Sequence, residues 1–547
     1  MVALILCIIG VSSAGDRCTS PIYCEGPFLA RMQNARVTND SKAFVDMPLK
    51  APVAEVLAAF ALLPANSSTA VYKSFIDKWM YPAGYEVYTV MPSDWVERPR
   101  FVDELPSSLQ PFGLSLHSKW KSLIRSFNHT GLCDGCYSSL HVPHPFVVAG
   151  GRFTEFYYWD SYWALQGLLV SEMTMTARRV VDNLLYMVDT YGFVPNGGRM
   201  YYLNRSQPPV LALMVKLLFE HTGDVAWLAR ALPTLDKEYT WWQEMRSLIY
   251  TGVNGRQYMV QRYMADTWLP RPESYREDVV TASFLPPKER QGCFRDLASG
   301  AETGWDFSSR WLRDWNQLST IRTSSILPVD LNSILFVVEK SLSQLFAITR
   351  NTSRSDYYHN QAGIRASALH QIFWNEYALS WSDIIIASPV TGNTFYVSNF
   401  MPIWANAYHQ SKQQALQIIQ RVWPKIFFSG GIPTSLIQSG QQWDFPNAWA
   451  PLQQFMIDAL DGLEMPEATK LADQLSIAWF NSNYCAWEST LKEGGRFFEK
   501  YDVTHPGQAG GGGEYEVQSG FGWTNGVLLK LLNTRSHLFQ IPDCTKL

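Results

Sequence analysis

Apolar residues recur along most of the chain at the three- and four-residue spacing of amphipathic helices. In one segment Val180, Leu184 and Val188 share a helical face, and Gly192 follows where that helix should end. A β-prone stretch at 257–263 is an exception, but strands do not alternate regularly with helices, which counts against Rossmann and TIM-barrel folds. The pattern predicts a mainly helical protein, with helices at 177–188, 210–218, 331–348, 366–374, 415–422, 452–463 and 468–480.

Three clusters that combine aromatic rings with a carboxylate lie between the predicted helices. Each cluster places an aspartate directly after a tryptophan, at Asp160, Asp306 and Asp444. A sugar site needs carboxyl groups that move protons and broad rings that stack on the apolar face of a pyranose. The clusters therefore indicate an enzyme that acts on carbohydrate.

Helices separated by such loops are typical of a barrel of helical hairpins whose loops converge at one end. The periodicity alone leaves an irregular helical fold or a solenoid open as alternatives. No low-complexity linker divides the 547 residues, so we expect one large catalytic domain.

Composition and charge narrow the class of partner. The formal charge is -4, and charged residues make up 17% of the chain, below the roughly 25% typical of soluble domains. The chain also lacks a basic run, so neither nucleic acid nor an anionic membrane surface is an expected partner. We expect a small, neutral substrate, and the composition does not indicate an oligomeric state.

The first residues have the character of a secretory signal. Residues 2–10 form a short apolar run, and Ser12, Ser13 and Ala14 offer small residues for cleavage. We expect a signal peptide at 1–14 and a catalytic domain with an N-terminal extension at 15–547; a buried N-terminal helix is the alternative. No other run reaches the ~18 apolar residues of a membrane helix, and no lipid-anchor signal follows. The interpretation is a secreted, extracellular, soluble protein without a membrane anchor.

Cysteines and glycosylation sequons fit the same compartment. Seven of the eight cysteines remain after Cys7 leaves with the signal, so at least one is unpaired within the chain. Cys18 and Cys24 are close enough to close a small loop, while Cys133 and Cys136 form a local disulfide or are two structural thiols. N-linked glycosylation sequons, usable only in a secreted chain, begin at Asn39, Asn66, Asn128, Asn204 and Asn351.

Hydrolysis of a glycosidic bond requires a protonated carboxyl group and an ionised one on opposite sides of the bond. Spacing cannot choose the pair, because loops bring distant residues together, and any single candidate could instead be a helix cap or a structural ion pair. Arginines in the same aromatic-rich stretches could hold sugar hydroxyls or steady a catalytic carboxylate. The candidates are Asp160, Glu273, Asp306, Asp330, Asp383, Asp444, Glu499 and Glu514, with Arg152, Arg205, Arg271 and Arg310.

Other catalytic classes lack their motifs. The histidines form no HExxH pair and no Gly-x-Ser-x-Gly elbow occurs, so neither metal-dependent hydrolysis nor serine esterase chemistry is expected. The glycine run at 510–513 is not followed by the Lys-Ser/Thr of a phosphate-binding loop. It is interpreted as a permissive loop that lets Glu514 and Tyr515 approach a ligand.

These motifs resemble those of the trehalases, the family of inverting α,α-trehalose glucohydrolases. The stretch from Gly150 to Trp163 resembles the first signature of the family, and the stretch from Gln442 to Pro451 resembles the second. The likeness covers nearly the whole chain after the signal, and the secretory start resembles the soluble animal type. Further matching motifs lie at 194–199, 205–209, 270–275, 302–311, 499–503 and 510–525.

The resemblance implies an all-α fold, the (α/α)6 barrel, a toroid of helical hairpins whose connecting loops form the active site. It implies hydrolysis of α,α-trehalose to two glucose molecules without a metal or organic cofactor. Asp306 would be the general acid and Glu499 the general base. The resemblance also implies that the two glucose units contact Arg152, Trp159, Asp160, Asn196, Arg205, Gln207, Arg271, Glu273, Gly304 and Glu514.

Two alternatives and two expectations about charge remain. The chain could be another helical-barrel α-glucosidase, or a sugar-binding protein that has lost its catalytic activity, although the presence of both Asp306 and Glu499 argues against the second. We expect Trp305 and a largely dry pocket to raise the pKa of Asp306, and a neighbouring arginine to keep Glu499 ionised.

Overall fold

The computed structural model describes residues 18–252, 254–387 and 394–546. The predicted signal peptide at 1–14 and Cys7 lie outside these residues. Where it is described, the chain is mainly helical, as predicted, and its strands are short. The α-helices are α1 Pro27–Asn34, α2 Ser41–Val45, α3 Val53–Ala61, α4 Thr69–Trp79, α5 Arg100–Glu104, α6 Gln110–Leu123, α7 Asp160–Val170, α8 Thr174–Tyr191, α9 Leu211–Thr222, α10 Val225–Met245, α11 Tyr275–Ser283, α12 Pro287–Glu302, α13 Val329–Ile348, α14 Thr352–Ala368, α15 Met401–Trp404, α16 Lys412–Ile426, α17 Ala450–Gly462, α18 Pro466–Ser489 and α19 Gly522–Arg535.

The strands form one sheet of three strands and several antiparallel pairs. The three-stranded sheet has the order β1-β2-β3, and the pairs are β4 with β5, β6 with β9, β7 with β8 and β10 with β11. Their bounds are β1 Val87–Thr89, β2 Ile124–Phe127, β3 Phe146–Val147, β4 Ser247–Thr251, β5 Gln257–Gln261, β6 Ile326–Leu327, β7 Trp374–Asn375, β8 Ser380–Trp381, β9 Ile384–Ile385, β10 Asn447–Trp449 and β11 Lys500–Asp502.

Six helices form a closed inner ring in which each helix packs against the next. The order is α7, α9, α13, α15, α17 and α19, and α19 packs back against α7. Helices α6, α8, α10, α14 and α18 each pack against members of this ring. The ring helices α7, α17 and α19 are buried along most of their length, whereas α8 and α14 bury only one face. The architecture is the expected (α/α)6 barrel.

Most predicted helices are confirmed, usually with longer bounds, and 257–263 contains β5. The helix predicted at 366–374 is confirmed in part, because residues 366–373 are helical but form the end of a longer helical segment. Residue Ala368 ends α14, which begins far earlier because the Asn351 side chain caps it by accepting a hydrogen bond from the Arg354 N–H. A π-helical turn, Leu369–Phe373, and strand β7 follow. The apolar pattern there reflects burial at the end of a longer helix.

Helix α13 is unusually apolar because it belongs to the inner ring. In the part of the chain that the structure describes, it alone has the length and composition to cross a membrane, but 67% of its apolar window is buried inside the protein. A core helix passes the same test as a membrane span. The burial of α13 accounts for its composition.

Disulfides join three pairs of cysteines among the described residues. They link Cys18 to Cys24, Cys133 to Cys136 and Cys485 to Cys544, and Cys293 is free and buried. The expected small loop, the local disulfide and an unpaired thiol are therefore all present. The third disulfide connects α18 to the C-terminal segment, across a separation of 59 residues.

The N-terminal extension is tied to the first aromatic cluster by buried charges. Lys42 of α2 places its Nζ 2.7 Å from Asp46 and 2.6 Å from Glu155, and all three side chains are almost fully buried. Buried ions need partners, because an isolated charge in an apolar interior is costly. This cluster therefore fixes α2 against the loop that precedes α7.

Helices α7 and α19 approach closely because glycines face each other at their contact. A Cβ on Gly526 would lie 1.9 Å from the carbonyl oxygen of Trp163, and a Cβ on Gly167 would lie 2.7 Å from the Cα of Gly526. Only the absence of a side chain permits this distance, so the two glycines set how tightly the ring closes.

Gly526→Ala is expected to destabilise the fold by about 1–3 kcal/mol or more, because the added methyl group must push the two helices apart. Gly363→Ala, in α14, is the matched control, since a Cβ added there would meet no other part of the protein within 4 Å. The control should be neutral, or more stable by up to about 1 kcal/mol, because alanine favours a helix over glycine. Chemical denaturation measures both. Equal stability of Gly526→Ala and the unmodified protein would contradict the packing argument.

Candidate active site

A cavity of about 610 Å³ lies where the connecting loops lead into the inner helices. Asp160 is the first residue of α7, Trp449 directly precedes α17, and Phe521 directly precedes α19. The volume is within the range of about 300–1,000 Å³ that is typical of small-molecule pockets. Helix N-termini carry partial positive charge, which favours the acidic side chains gathered there.

All twelve residues assigned by resemblance line this one cavity. They come from segments that are up to several hundred residues apart, which the barrel brings together. They are Arg152, Trp159, Asp160, Asn196, Arg205, Gln207, Arg271, Glu273, Gly304, Asp306, Glu499 and Glu514.

Four other candidates serve the structure around the cavity and do not line it. Arg310 forms ion pairs with Asp330 at 2.7 Å and Asp383 at 2.6 Å, and its guanidinium lies 4.6 Å from the ring centre of Trp305. Asp444 accepts hydrogen bonds from the Ser309 N–H at 2.6 Å and from the Ser308 hydroxyl at 3.0 Å. Both groups hold the segment that follows Asp306, so their role is structural.

Stacked tryptophans form an aromatic wall of the cavity. Trp443 stacks on Trp449 with ring centres 3.8 Å apart and nearly parallel planes, and Trp305 stacks on Trp443 at 5.7 Å. Trp159 packs against Trp443 at 5.9 Å in a tilted arrangement. Trp159, Trp443 and Trp449 all line the cavity, and ring surfaces of this kind can stack on apolar faces of a bound molecule.

Asp306 has the character of a proton donor. Burial raises the pKa of this carboxyl group to about 6, and the positive charges of Arg271 and Arg205 limit the rise. The backbone carbonyl of Asp306 accepts a hydrogen bond from the Gln442 side-chain amide, which fixes the segment. The expected rise in the pKa of Asp306 is present, and its main cause is burial beside the buried Trp305.

Glu499 is held by two hydrogen bonds directly before β11. Its Oε1 accepts from the Tyr515 hydroxyl at 2.7 Å, and its Oε2 accepts from the Gln518 N–H at 3.3 Å. Burial raises the pKa of Glu499, and the charge of Lys500 is the largest effect in the opposite direction. Arg152 also lowers the pKa of Glu499, but less. The expectation that an arginine keeps Glu499 ionised is therefore corrected, because the adjacent lysine does more.

Arginine–carboxylate pairs occupy the rest of the polar wall. Arg205 donates to Glu273 at 2.6 Å and to the Asn196 side chain at 2.8 Å. The other carboxylate oxygen of Glu273 is buried without a hydrogen-bond partner among the described residues. It is a free acceptor for a hydroxyl group of a bound molecule.

A second pair ties the glycine-rich segment to the same wall. Arg271 donates to Asp278 at 2.6 Å and to Glu514 at 3.1 Å. Arg271 therefore bridges two carboxylates, Asp278 and Glu514, and Glu514 lines the cavity while paired with it. Asp160 differs from both glutamates, since it makes no ion pair within the described part of the chain and burial raises its pKa well above the usual value.

Several residues around the cavity were not assigned from the sequence. Asp40 pairs with Arg152 at 2.7 Å, and Asp278 supports Arg271. Tyr515 was expected near a ligand, but its hydrogen bond to Glu499 was not predicted. Lys500 is adjacent to Glu499 within a matching motif. The sequence therefore indicated that Lys500 lies near the site, but it did not indicate what Lys500 does there. Asp40 belongs to the N-terminal extension, where no motif indicates chemistry.

Comparisons with known proteins agree with this geometry. Residues 36–536 match the family model described as Trehalase. The chain is 44% identical to the trehalase of Dictyostelium discoideum, with 96% of this chain and 92% of that protein covered. It is 40% identical to the trehalase of Homo sapiens, with 94% and 89% covered. The solved structure of neutral trehalase Nth1 from Saccharomyces cerevisiae superposes with a TM-score of 0.59 at 25% identity, covering 72% of this chain and 74% of that one.

Proposed function

Since the chain belongs to the trehalase family of glycoside hydrolases, we propose that it hydrolyses α,α-trehalose to two glucose molecules in a single inverting displacement. One observation supports this most directly. Asp306 and Glu499, more than 190 residues apart in sequence, line the same cavity, and the charge of Glu499 contributes to the raised pKa of Asp306 after burial and the opposing arginines. Hydrolysis of an acetal requires two carboxyl groups in one pocket, and here the charge of one affects the pKa of the other.

Asp306 is proposed as the general acid. Trehalose joins two anomeric carbons through one oxygen, and cleavage requires a proton on that oxygen as the bond breaks. A carboxyl group with a pKa of about 6 retains its proton in mildly acidic solution, where an ordinary aspartate does not. Protonation by Asp306 turns the departing sugar into a neutral alcohol.

Glu499 is proposed as the general base. It would remove a proton from a water molecule on the far side of the anomeric carbon, while Tyr515 and the Gln518 N–H fix its two oxygens. An inverting reaction needs room for this water, with carboxyl groups about 6.5–9.5 Å apart. The products are then one α-glucose and one β-glucose.

The remaining ten residues are proposed to bind the two glucose units. Arg205 and Glu273 form a pair with a free acceptor oxygen, and Trp159 supplies ring surface. A neutral sugar has many hydroxyl groups and no charge, so paired arginines and carboxylates recognise it better than isolated charges do. The binding residues are Arg152, Trp159, Asp160, Asn196, Arg205, Gln207, Arg271, Glu273, Gly304 and Glu514.

Proton NMR of fresh reaction mixtures tests the substrate, the reaction and the stereochemistry together. Trehalose should give equal initial amounts of α- and β-glucose, before mutarotation mixes them. Only α-glucose in the first spectra would refute the inverting mechanism and favour a covalent intermediate. Maltose and sucrose serve as comparison substrates, and faster hydrolysis of either would favour another helical-barrel α-glucosidase.

The dependence of activity on pH follows from the proposed roles. Burial raises the pKa of Asp306 to about 6, so kcat/KM should fall as pH rises through about 6 and this acid loses its proton. On the acidic side, kcat/KM should fall as Glu499 gains a proton, at a pH above the usual glutamate range because burial raises the pKa of Glu499. Initial rates between pH 3 and 9 measure the fall of kcat/KM on each side, which we call the acidic and the basic limb of the pH profile. A flat profile from pH 6 to 8 would contradict the assignment of Asp306.

We also propose that residues 15–547 act as one catalytic domain in a secreted, soluble glycoprotein. The three disulfides support an oxidising compartment. Asn204 should stay unmodified, because its side chain is half-buried and accepts from Arg205 at 3.4 Å, beside the cavity. A glycopeptide map of active enzyme secreted by eukaryotic cells tests this. Full occupancy at Asn204, or retention of residues 1–14, would contradict the respective proposal.

A further inference from the structure

Lys500 is a buried cation that follows the proposed base but does not line the cavity. Its side-chain nitrogen donates to the Gln442 side-chain oxygen at 2.8 Å and to the backbone carbonyl of Gly512 at 3.0 Å. It also lies 5.3 Å from the ring centre of Trp449. The residue has no exposed surface, and its ammonium group also lies 6.0 Å from the ring centre of Tyr515.

The two acceptors of Lys500 belong to different parts of the active site. Gln442 donates through its amide to the backbone carbonyl of Asp306, on the segment of the proposed acid. Gly512 belongs to the glycine loop at 510–513, which leads directly to Glu514 and Tyr515. The ammonium group of Lys500 therefore connects three parts of the active site. These are strand β11, the segment of Asp306, which it reaches through Gln442, and the glycine loop.

The glycine loop fits tightly where Lys500 holds it. Gly512 has a φ of 74°, and a Cβ there would lie 2.5 Å from the carbonyl oxygen of Gly440. The Gly510 N–H also donates to the backbone carbonyl of Lys500 at 3.0 Å. Both the main chain and the side chain of Lys500 thus bind this loop.

The charge of Lys500 is not cancelled by an ion pair. Among the described residues it contacts only uncharged acceptors, whereas Arg152, the other cation that acts on Glu499, pairs with Asp40 at 2.7 Å. The other titratable groups that face Glu499 are Tyr515, Asp306 and Asp160. The two aspartates disfavour a charge on Glu499, so Lys500 supplies the main uncompensated positive charge.

We propose that Lys500 is a positioning residue that keeps Glu499 ionised and holds the glycine loop at 510–513, which leads to the cavity residues Glu514 and Tyr515, without contacting substrate. The proposal rests on the proposed role of Glu499 as the general base. Burial lowers the pKa of Lys500 to about 8, so the ammonium keeps its charge throughout the acidic range and loses it as pH rises through about 8. The charge is present wherever the proposed catalysis operates.

The pH dependence of kcat/KM in Lys500→Gln tests this inference. Glutamine can still donate to Gly512 but carries no charge, so the pKa of Glu499 should rise and the acidic limb should move upward by about one pH unit. Below that limb the activity should be about tenfold lower than in the unmodified enzyme, because each unit is a factor of ten in the ionised fraction. Lys500→Arg should retain the original limb.

Lys119→Met is the matched control. Lys119 also donates to a glycine carbonyl, that of Gly494 at 2.7 Å, but it lies outside the cavity. Its pH profile should match that of the unmodified enzyme. Lys500→Met offers a second route if Lys500→Gln does not fold, since methionine fills a similar volume in this buried position, carries no charge and leaves Gln442 in place.

The possible outcomes separate this inference from the proposed function. The proposed base is wrong if kcat/KM of the unmodified enzyme does not fall on the acidic side. It is also wrong if that fall persists in Glu499→Gln. The inference about Lys500 is overturned if the acidic limb exists but keeps its position in folded Lys500→Gln. Lys500→Met replaces this variant in the test if Lys500→Gln does not fold. A lower Tm with an unchanged limb would assign Lys500 a structural role only.

Discussion

Asp306→Asn is expected to lower kcat for trehalose by about 10²–10⁴-fold, the usual contribution of a general acid. Asparagine has nearly the same shape but no acidic proton, so the bridging oxygen must leave as an unprotonated alkoxide. Arg271 and Arg205, the cations that most affect Asp306, keep their own carboxylate partners. Substrate affinity should therefore change much less than kcat. Initial-rate kinetics on purified protein measure both constants.

A substrate that needs no acid separates this role from general damage. Fluoride leaves without protonation, so Asp306→Asn should hydrolyse α-glucosyl fluoride within about tenfold of the normal rate. Asp314→Asn, an exposed position on the same segment, is the matched control and should change neither reaction. If Asp306→Asn hydrolysed trehalose at the normal rate, Asp306 would not be the general acid. An equal loss on both substrates would indicate a structural defect.

Glu499→Gln is expected to cause a loss of similar size, about 10²–10⁴-fold in kcat, but on both substrates. The water that attacks the anomeric carbon must lose a proton whatever group leaves, and an amide cannot accept it. The hydrogen bond from the Tyr515 hydroxyl can persist to the amide oxygen, so the loss should reflect chemistry and not position. Stopped assays with trehalose and α-glucosyl fluoride measure the two rates.

The contrast between the two variants carries the mechanistic information. Selective loss on trehalose in one and loss on both in the other would assign acid and base independently of any structure. Glu493→Gln, an exposed glutamate shortly before Glu499, is the control for the second variant and should behave normally. Near-normal trehalose hydrolysis by Glu499→Gln would exclude this residue as the base.

The helical architecture was predictable where apolar residues repeat over several turns. Helices α8 and α13 have such patterns, and both were found. Helix α15 has only four residues, too few for a period to show, yet it completes the inner ring. Helix α12 is long but rich in charged residues, and it was missed because its composition resembles a solvated loop.

The site was predictable only through the resemblance of its motifs. Twelve assigned residues line one cavity, but spacing alone could not have chosen Asp306 and Glu499 from the other carboxylates. Arg152 and Asp40 are 112 residues apart in sequence and pair because α2 packs against the barrel. No local sequence pattern reveals this packing. Lys500 is similar, since its two acceptors come from separate loops that meet only in the folded barrel.

Local sequence also could not separate the proposed catalytic acid from a structural one. Asp306 and Asp444 both follow a tryptophan, yet the first lines the cavity and the second accepts hydrogen bonds from serines. The difference lies in the partners that the fold supplies. Burial raises the pKa of both carboxyl groups. Hydrogen bonds from serines oppose the rise in the pKa of Asp444, whereas the charge of Arg271 is the largest opposing effect at Asp306.

Closure of the inner ring by α19 has a consequence for synthesis on the ribosome. The helix that completes the ring begins at Gly522 and packs against α7, which emerges more than 350 residues earlier. Until the last part of the chain is translated, the face of α7 that contacts α19 has no permanent cover. A nascent chain of this protein is therefore expected to expose this apolar face through most of its elongation, and such exposure favours aggregation before release.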